Sequence, residues 1–257
     1  MRVEIEPTER PAAFVLSIDG RPQSYVDLDD PGRLEFDYVR RIGDVIDGWG
    51  SPGRAMRVLH VGGGALTLPR YVAWSRPGSA QVVLEPVESV TRLVRSELPL
   101  PQRSGIKVRP VDGRSGLVAL RDGSYDLVVV DAFVDGSVPD ELVTAECAQQ
   151  YARVLRGDGW LLLNLVDSAP FAWTRRVVAA VRSVLPALLL SAEPATLRGR
   201  RSGNLLLVAG AAGVPADTLA ARAASSPAPY RVLTGAQVLD RVGGGRPLTD
   251  AELDGSP

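Results

Sequence analysis

The sequence predicts an α/β protein: a doubly wound sheet of mainly parallel strands, preceded by a small N-terminal β element and finished by a terminal antiparallel hairpin. Three observations carry that expectation. From Arg57 to Val166, short continuous apolar runs rich in valine and leucine alternate with helical stretches, the pattern of strands buried on both faces and joined by helices. Residues 12–28, "AAFVLSIDGRPQSYVDL", instead place two alternating runs on either side of Asp19-Gly20, a dipeptide that tolerates positive φ in tight hairpins. Further on, "PALLLSAEP" and "RSGNLLLVAGA" bracket the polar tip "TLRGRR".

The elements follow in order. After the N-terminal hairpin, Leu34, Tyr38, Ile42 and Val45 recur at helical spacing, and the turn residues Ser51-Pro52-Gly53 end that helix. Residues 1–50 thus read as a β-hairpin with a linking helix, and 51–257 as the main domain with a C-terminal tail. The strand candidates of the main domain are "RVLHVG", "AQVVLEP", "IKVRPVD", "YDLVVVDAF" and "GWLLLNLV". A helix is expected from about Phe171 to Val184, then the terminal hairpin. The tail from Ala211 is rich in alanine, glycine, serine and proline, with two short helical patterns near Leu219 and Leu239.

Composition removes several function classes. The 257 residues are 45% hydrophobic, enough to bury a sizeable core, and the formal net charge of −1 points to neither a nucleic-acid nor a membrane partner. The arginine-rich tip at 198–201 reads as a solvated hairpin. The longest apolar runs are interrupted by residues such as Arg182 and Pro186 and are too short to span a bilayer. The opening "MRVEIEPTER" does not suit a secretory leader, and a cytoplasmic location is expected. A single cysteine, Cys147, permits no internal disulfide, and the solitary His60 can build neither a zinc cluster nor a Ser-His-Asp triad. Set between Leu59 and Val61, His60 reads as a core side chain, and no metal is expected. Chemistry is left to carboxylates, backbone dipoles or a bound co-substrate.

In an open parallel sheet, ligands sit beyond the carboxyl ends of the strands, and the informative residues fall there. Gly62, Gly63 and Gly64 end the first strand of the main domain, a turn without side chains that lets backbone amides approach a nucleoside. Thr67 stands where the dinucleotide fingerprint needs a further glycine. Glu85 ends the next strand, about twenty residues on, where a carboxylate can accept the hydroxyls of a ribose. Asp112 ends the third strand, placed to accept from an adenine amine, and Asp131 ends the fourth. Acids at three successive strand ends beside a glycine turn predict a nucleoside site.

On these residues the chain resembles the spermidine synthases, aminopropyltransferases with the fold of S-adenosylmethionine-dependent methyltransferases. "DGRPQS" is similar to the family's second-strand glutamine motif, "LEFDY" to its "DEFxY" helix, and "VLHVGGG" to its glycine loop. "VLEP" is similar to its ribose acid, "VDGR" to its adenine acid, and "YDLVVVDAFVD" to its catalytic loop. The resemblance implies a Rossmann-like sheet of the methyltransferase type, with Gln23, Gly62, Gly64, Glu85, Asp112 and Gly113 lining the nucleoside pocket. It implies Asp131 as the base, Tyr38 near the amine substrate, and Asp135 as a looser candidate one residue beyond the family's second loop acid. It also implies a homodimer, a small-molecule amine acceptor, and decarboxylated S-adenosylmethionine as donor.

The family follows its three glycines with an aspartate, as GGGDGG, whereas this chain has Ala65, Leu66 and Thr67. The missing acid is the one that pairs with the ammonium of the decarboxylated donor. Intact S-adenosylmethionine therefore stays open as co-substrate. The functions in play are aminopropyl transfer to a polyamine-type amine, S-adenosylmethionine-dependent methyl transfer, and nucleoside binding without turnover.

Overall fold

The computed structural model describes residues 2–254, and the chain divides into two compact units, residues 1–113 and 114–257. The mixed α/β class is the expected one.

The first unit opens with an antiparallel sheet of β1 (Val3–Pro7), β2 (Ala13–Ile18) and β3 (Arg21–Asp27), in that order. The β2–β3 turn has Asp19 at φ 48° and Gly20 at φ 74°, the left-handed backbone that Asp-Gly accepts. Strand β1 was not expected. Its "VEIE" alternation turns Val3 and Ile5 onto the unit's apolar cluster, the half-buried period of two, while its glutamates give the segment a polar cast. Helix α1 (Asp37–Gly48) then buries Val39, Ile42, Val45 and Ile46, starting three residues later than the periodicity suggests.

Next come β4 (Arg57–Val61), α2 (Thr67–Ser75), β5 (Ala80–Leu84), α3 (Glu88–Glu97) and β6 (Ile106–Arg109). The three strands are parallel, with β5 between β4 and β6. Buried arginines cap the helix ends in this unit, where backbone carbonyls have no partner within the helix. Arg76 donates to Ile46 and Asp47 oxygens at 2.8 Å, at the end of α1. Arg70 donates to the Leu98 and Pro99 carbonyls after α3, and burial brings its guanidinium down to about 10.

The second unit holds α4 (Gly113–Val118, its first residue closing the first unit), β7 (Tyr125–Val130), a 3₁₀ turn at Asp140–Leu142, α5 (Ala145–Val154), β8 (Leu155–Asp167), α6 (Ala172–Arg182), β9 (Ala187–Ala192), the one-turn α7 (Pro194–Leu197) and β10 (Gly203–Gly210). Strands β7 and β8 are parallel. Strand β10 pairs antiparallel with both β8 and β9, so the expected terminal hairpin is present, with Leu190 opposite Leu207. Its leucines are almost wholly buried, which is why both runs read as continuous apolar segments.

The tail adds α8 (Ala216–Ser225), the edge strand β11 (Arg231–Thr234), α9 (Ala236–Val242) and α10 (Asp250–Asp254). Helices α8 and α9 are the two expected near Leu219 and Leu239. Strand β11, antiparallel to β9, was missed because four residues carry too little period to be seen. Arginines of α6 hold the tail by its carbonyls: Arg175 donates to Gly243 and Arg241 oxygens, and Arg176 to the Pro247 oxygen. Leu248 accepts from the Ala145 amide at 2.8 Å, and Arg114 pairs with Asp250. No helix among the described residues is long and apolar enough to cross a membrane.

Candidate functional site

In the first unit the parallel strands β4, β5 and β6 deliver Gly62, Glu85 and Pro110–Asp112 at their carboxyl ends. Gly62 has φ 92° and Gly64 φ 47°, so the backbone itself calls for glycine at both positions. Between them the amide of Gly63 donates to Glu85 Oε2 at 2.9 Å, and that of Gly64 reaches the same oxygen at 3.4 Å. Glu85 Oε1 accepts from the Val87 amide at 2.9 Å. A carboxylate has about four acceptor positions, and backbone amides occupy three of them. Glu85, only 9% exposed, is therefore first a pin between the glycine loop and β5. The sequence predicts that Glu85 accepts the hydroxyls of a ribose, but most of its acceptor capacity is used inside the fold.

The far side of the loop docks on β3. Ala65 donates its amide to Ser24 Oγ at 3.2 Å, and Thr67 Oγ1 donates to the Tyr25 carbonyl at 2.8 Å. A Cβ on Gly64 would come within 2.5 Å of Ser24 Oγ, so that glycine is also required by the close approach of β3. Gln23, one residue before Ser24, is half-buried and donates to the Arg21 carbonyl at 3.4 Å. Ser24 was not singled out by motif, and Thr67 was noted only as a departure from a glycine, since neither contact is visible until β3 is seen against the loop.

Ala65 is fully buried, in one apolar cluster with Leu16, Val26, Leu66 and Val83. Leu66, at φ 62°, directs the chain into α2. The position that carries an acid in the similar family is here part of the core. Asp112 is exposed and directly precedes α4, and Gly113 is buried at that helix's first position. Tyr38 is half-buried in the first turn of α1, its ring stacked with Phe36 at a centroid distance of 6.1 Å.

His60 is a core side chain, as expected. Its Nε2 lies 2.9 Å from Gln81 Oε1, and Gln81 Nε2 donates to the Pro69 carbonyl at 2.9 Å. The Gln81 oxygen accepts, so His60 Nε2 carries a proton. Burial brings the imidazole down to about 4, against a smaller opposing effect of the Gln81 bond.

In the second unit Asp131 directly follows β7. Val130 pairs with Leu163, which puts the next residues, Asp131 and Asn164, side by side. Asn164 Nδ2 donates to Asp131 Oδ1 at 2.9 Å, and Asn204 Nδ2 on β10 donates to Asn164 Oδ1 at 3.0 Å. Burial raises the Asp131 carboxyl to about 6, with the Asn164 bond pulling the other way. An acid with that value is mostly ionised at neutral pH, yet is a stronger proton acceptor than an ordinary aspartate. Asp135 sits elsewhere on the same loop: it is exposed, at φ 51°, in a turn with Gly136 at φ 85° closed by bonds between Val134 and Ser137. That conformation accounts for an Asp-Gly pair on structural grounds alone.

The first unit thus gathers Gly62, Gly64 and Glu85 at one edge, and the second joins Asp131 to Asn164 and Asn204. Both asparagines were missed in the sequence. The visible signal was a lone amide inside "LLLNLV", because a buried polar side chain needs a partner.

No family model matches the chain. The polyamine aminopropyltransferase of Chromobacterium violaceum is 26% identical over 143 residues, 55% of this chain and 53% of that protein, so the chain spans about half the length of the curated relative it matches. A probable spermidine synthase from Corynebacterium glutamicum superposes with a TM-score of 0.88 at 25% identity, over 96% of this chain and 92% of that one. Human methyltransferase-like protein 13, solved in complex with SAH, shares the fold with a TM-score of 0.55 at 20% identity, over 67% of this chain and 79% of that one. The chain is similar in sequence and in structure to the spermidine synthases, and it has their methyltransferase-like fold.

Proposed function

We propose that the protein is a spermidine synthase-like transferase that moves the aminopropyl group of decarboxylated S-adenosylmethionine to a polyamine-type amine. The observation that carries this reading is the Asp131 carboxyl: it lies directly after β7, where the similar family keeps its base, and burial has lifted it into the range of a proton acceptor. The similarity to the probable spermidine synthase of Corynebacterium glutamicum over nearly the whole chain supports it.

In the reaction the amine nitrogen attacks the propyl carbon bonded to the sulfonium. The carbon–sulfur bond breaks, its electron pair returns to sulfur, and methylthioadenosine leaves neutral. The proton of the incoming ammonium passes to Asp131 Oδ2 while Asn164 occupies Oδ1. Positioning contributes as much as basicity, because the sulfonium is already a competent leaving group. The nucleoside is assigned to Gln23, the Gly62–Gly64 turn, Glu85, Asp112 and Gly113. The fourth acceptor position of Glu85 takes one ribose hydroxyl. Tyr38 and Asp135 are assigned to the amine substrate.

One observation favours a second reading, methyl transfer from intact S-adenosylmethionine: with Ala65 in the core, the loop offers no carboxylate for the ammonium of the decarboxylated donor. The deciding experiment supplies each donor with a panel of diamines and polyamines and follows the nucleoside product. Methylthioadenosine released in step with a lengthened amine supports aminopropyl transfer. S-adenosylhomocysteine from the intact donor, with no methylthioadenosine, replaces it with methyl transfer. Tight methylthioadenosine binding without either product marks a nucleoside-binding protein.

A further inference from the structure

Asn164 stands alone among leucines on β8 and is 1% exposed. A buried carboxamide has two different ends, a donor and an acceptor, and can be turned over about its last bond to exchange them. Beside an ionised carboxylate only one orientation is favourable, that with the N–H₂ end toward the acid. The other sets carbonyl oxygen against carboxylate oxygen and favours a protonated acid. What fixes the choice is the group at the far end. Here that group is Asn204, on a strand that pairs Leu206 with Asn164 and Asn204 with Val166, so that the two asparagines are diagonal neighbours.

We infer that Asn204, two strands away from Asp131, is a positioning residue for the proton acceptor: by donating to Asn164 Oδ1 it holds the Asn164 carboxamide with its N–H toward the Asp131 carboxylate. The three side chains form a directed chain, Asn204 N–H to Asn164 C=O and Asn164 N–H to Asp131, each link short and buried or half-buried. The direction matters, since each amide polarises the next in the sense that stabilises negative charge at the end. It keeps Asp131 ionised at neutral pH against the burial that opposes ionisation, and reserves Oδ2 for the substrate. The next acid along β8, Asp167, is not part of the chain, because it accepts from the Thr174 amide and hydroxyl at the start of α6.

The catalytic part of this inference rests on the proposed base, but its test does not need turnover. The Asp131 carboxyl is followed by carbon-13 NMR through a pH titration of the intact protein, its signal assigned by loss in Asp131→Asn. In Asn204→Leu the titration should move upward by about half a unit or more, and in Asn164→Leu by about one unit. The acid limb of the kcat profile should move with it. Asn204→Ala serves if the leucine variant does not fold. A folded Asn204 variant in which Asp131 titrates as in the wild type, whatever its loss of stability, overturns the relay and leaves the pair a packing feature. A relay that holds in a protein transferring no aminopropyl group overturns the proposed reaction instead.

Discussion

Two strand-end carboxylates, one in each unit, are held in opposite ways. Glu85 accepts three backbone amides, from Gly63, Gly64 and Val87. Asp131 has one side-chain amide at Oδ1, and burial raises it to about 6. An acid surrounded by fixed N–H groups is held in place by them and gives shape to the loop around it. An acid with a single donor and little solvent is kept near the point where it can take a proton. The comparison separates a residue that organises a binding loop from one suited to proton transfer, although both occupy the same kind of position in a βα unit.

The sharpest break in the comparison is Asp131→Asn. The amide keeps the shape and can still accept from Asn164, but it cannot accept the ammonium proton. Turnover should fall by at least a hundredfold, within the usual range for loss of a general base, while methylthioadenosine affinity stays within threefold of wild type. Near wild-type turnover would move the proton acceptor elsewhere.

Ala65→Asp tests the glycine loop from the other side. In the similar family an acid at this position belongs to the donor site, which suggests that restoring it should raise affinity for decarboxylated S-adenosylmethionine. The buried apolar surroundings of Ala65 lead to a different expectation: a loss of about 3 kcal/mol in unfolding free energy, from a carboxylate forced among leucines and valines. Urea denaturation decides between them. A variant as stable as wild type that prefers the decarboxylated donor would show the loop turning the side chain outward.

Glu85→Ala should weaken methylthioadenosine binding by about tenfold, and unlike a pure ligand contact it should also lower stability by about 2 kcal/mol, because three backbone amides lose their acceptor. Unchanged stability with weakened binding would return Glu85 to a purely ligand-facing role. Unchanged binding would remove it from the site.

How far the sequence showed these arrangements depended on whether the signal was local. Valine- and leucine-rich runs located β4, β5, β7, β8, β9 and β10, because burial on both faces leaves a continuous apolar string. The spacing of the glycine turn and Glu85 was equally legible, since strand, turn, helix and next strand fix where the acid emerges. What the sequence could not show was which group meets which. Asn164 and Asn204 are forty residues apart and join only through the register of β8 and β10. That Ala65 lies in the apolar cluster was hidden likewise, because a motif gives position along the chain, not the surroundings of a side chain. Ser24 escaped notice for a similar reason, its role arising only where β3 passes the loop.

The smallest effect in the intact protein is the most informative about the two units, because it is expected to be a near cancellation. His60 in the first unit is held at about 4 against an ordinary value of 6.5. Between those values the unfolded chain binds a proton that the folded one does not, so stability falls as the pH drops from 6.5 toward 4. Asp131 in the second unit is held at about 6 against an ordinary 3.8. Between those values the folded protein binds the extra proton, so stability rises as the pH drops. Each effect is worth roughly 1.4 kcal/mol per pH unit, and they oppose each other between pH 6 and pH 4. Wild-type stability should therefore carry almost no net pH dependence from these two groups across that window. Asp131→Asn removes one side of the balance. The variant should be more stable than wild type at pH 7 by about 3 kcal/mol, and that advantage should shrink to near zero at pH 4. Urea denaturation of both proteins at pH 7, 6, 5 and 4 measures the difference directly, with all other titrating groups common to the pair. Parallel curves would mean that Asp131 titrates as an ordinary aspartate, and its distinction from Glu85 would then rest on geometry alone.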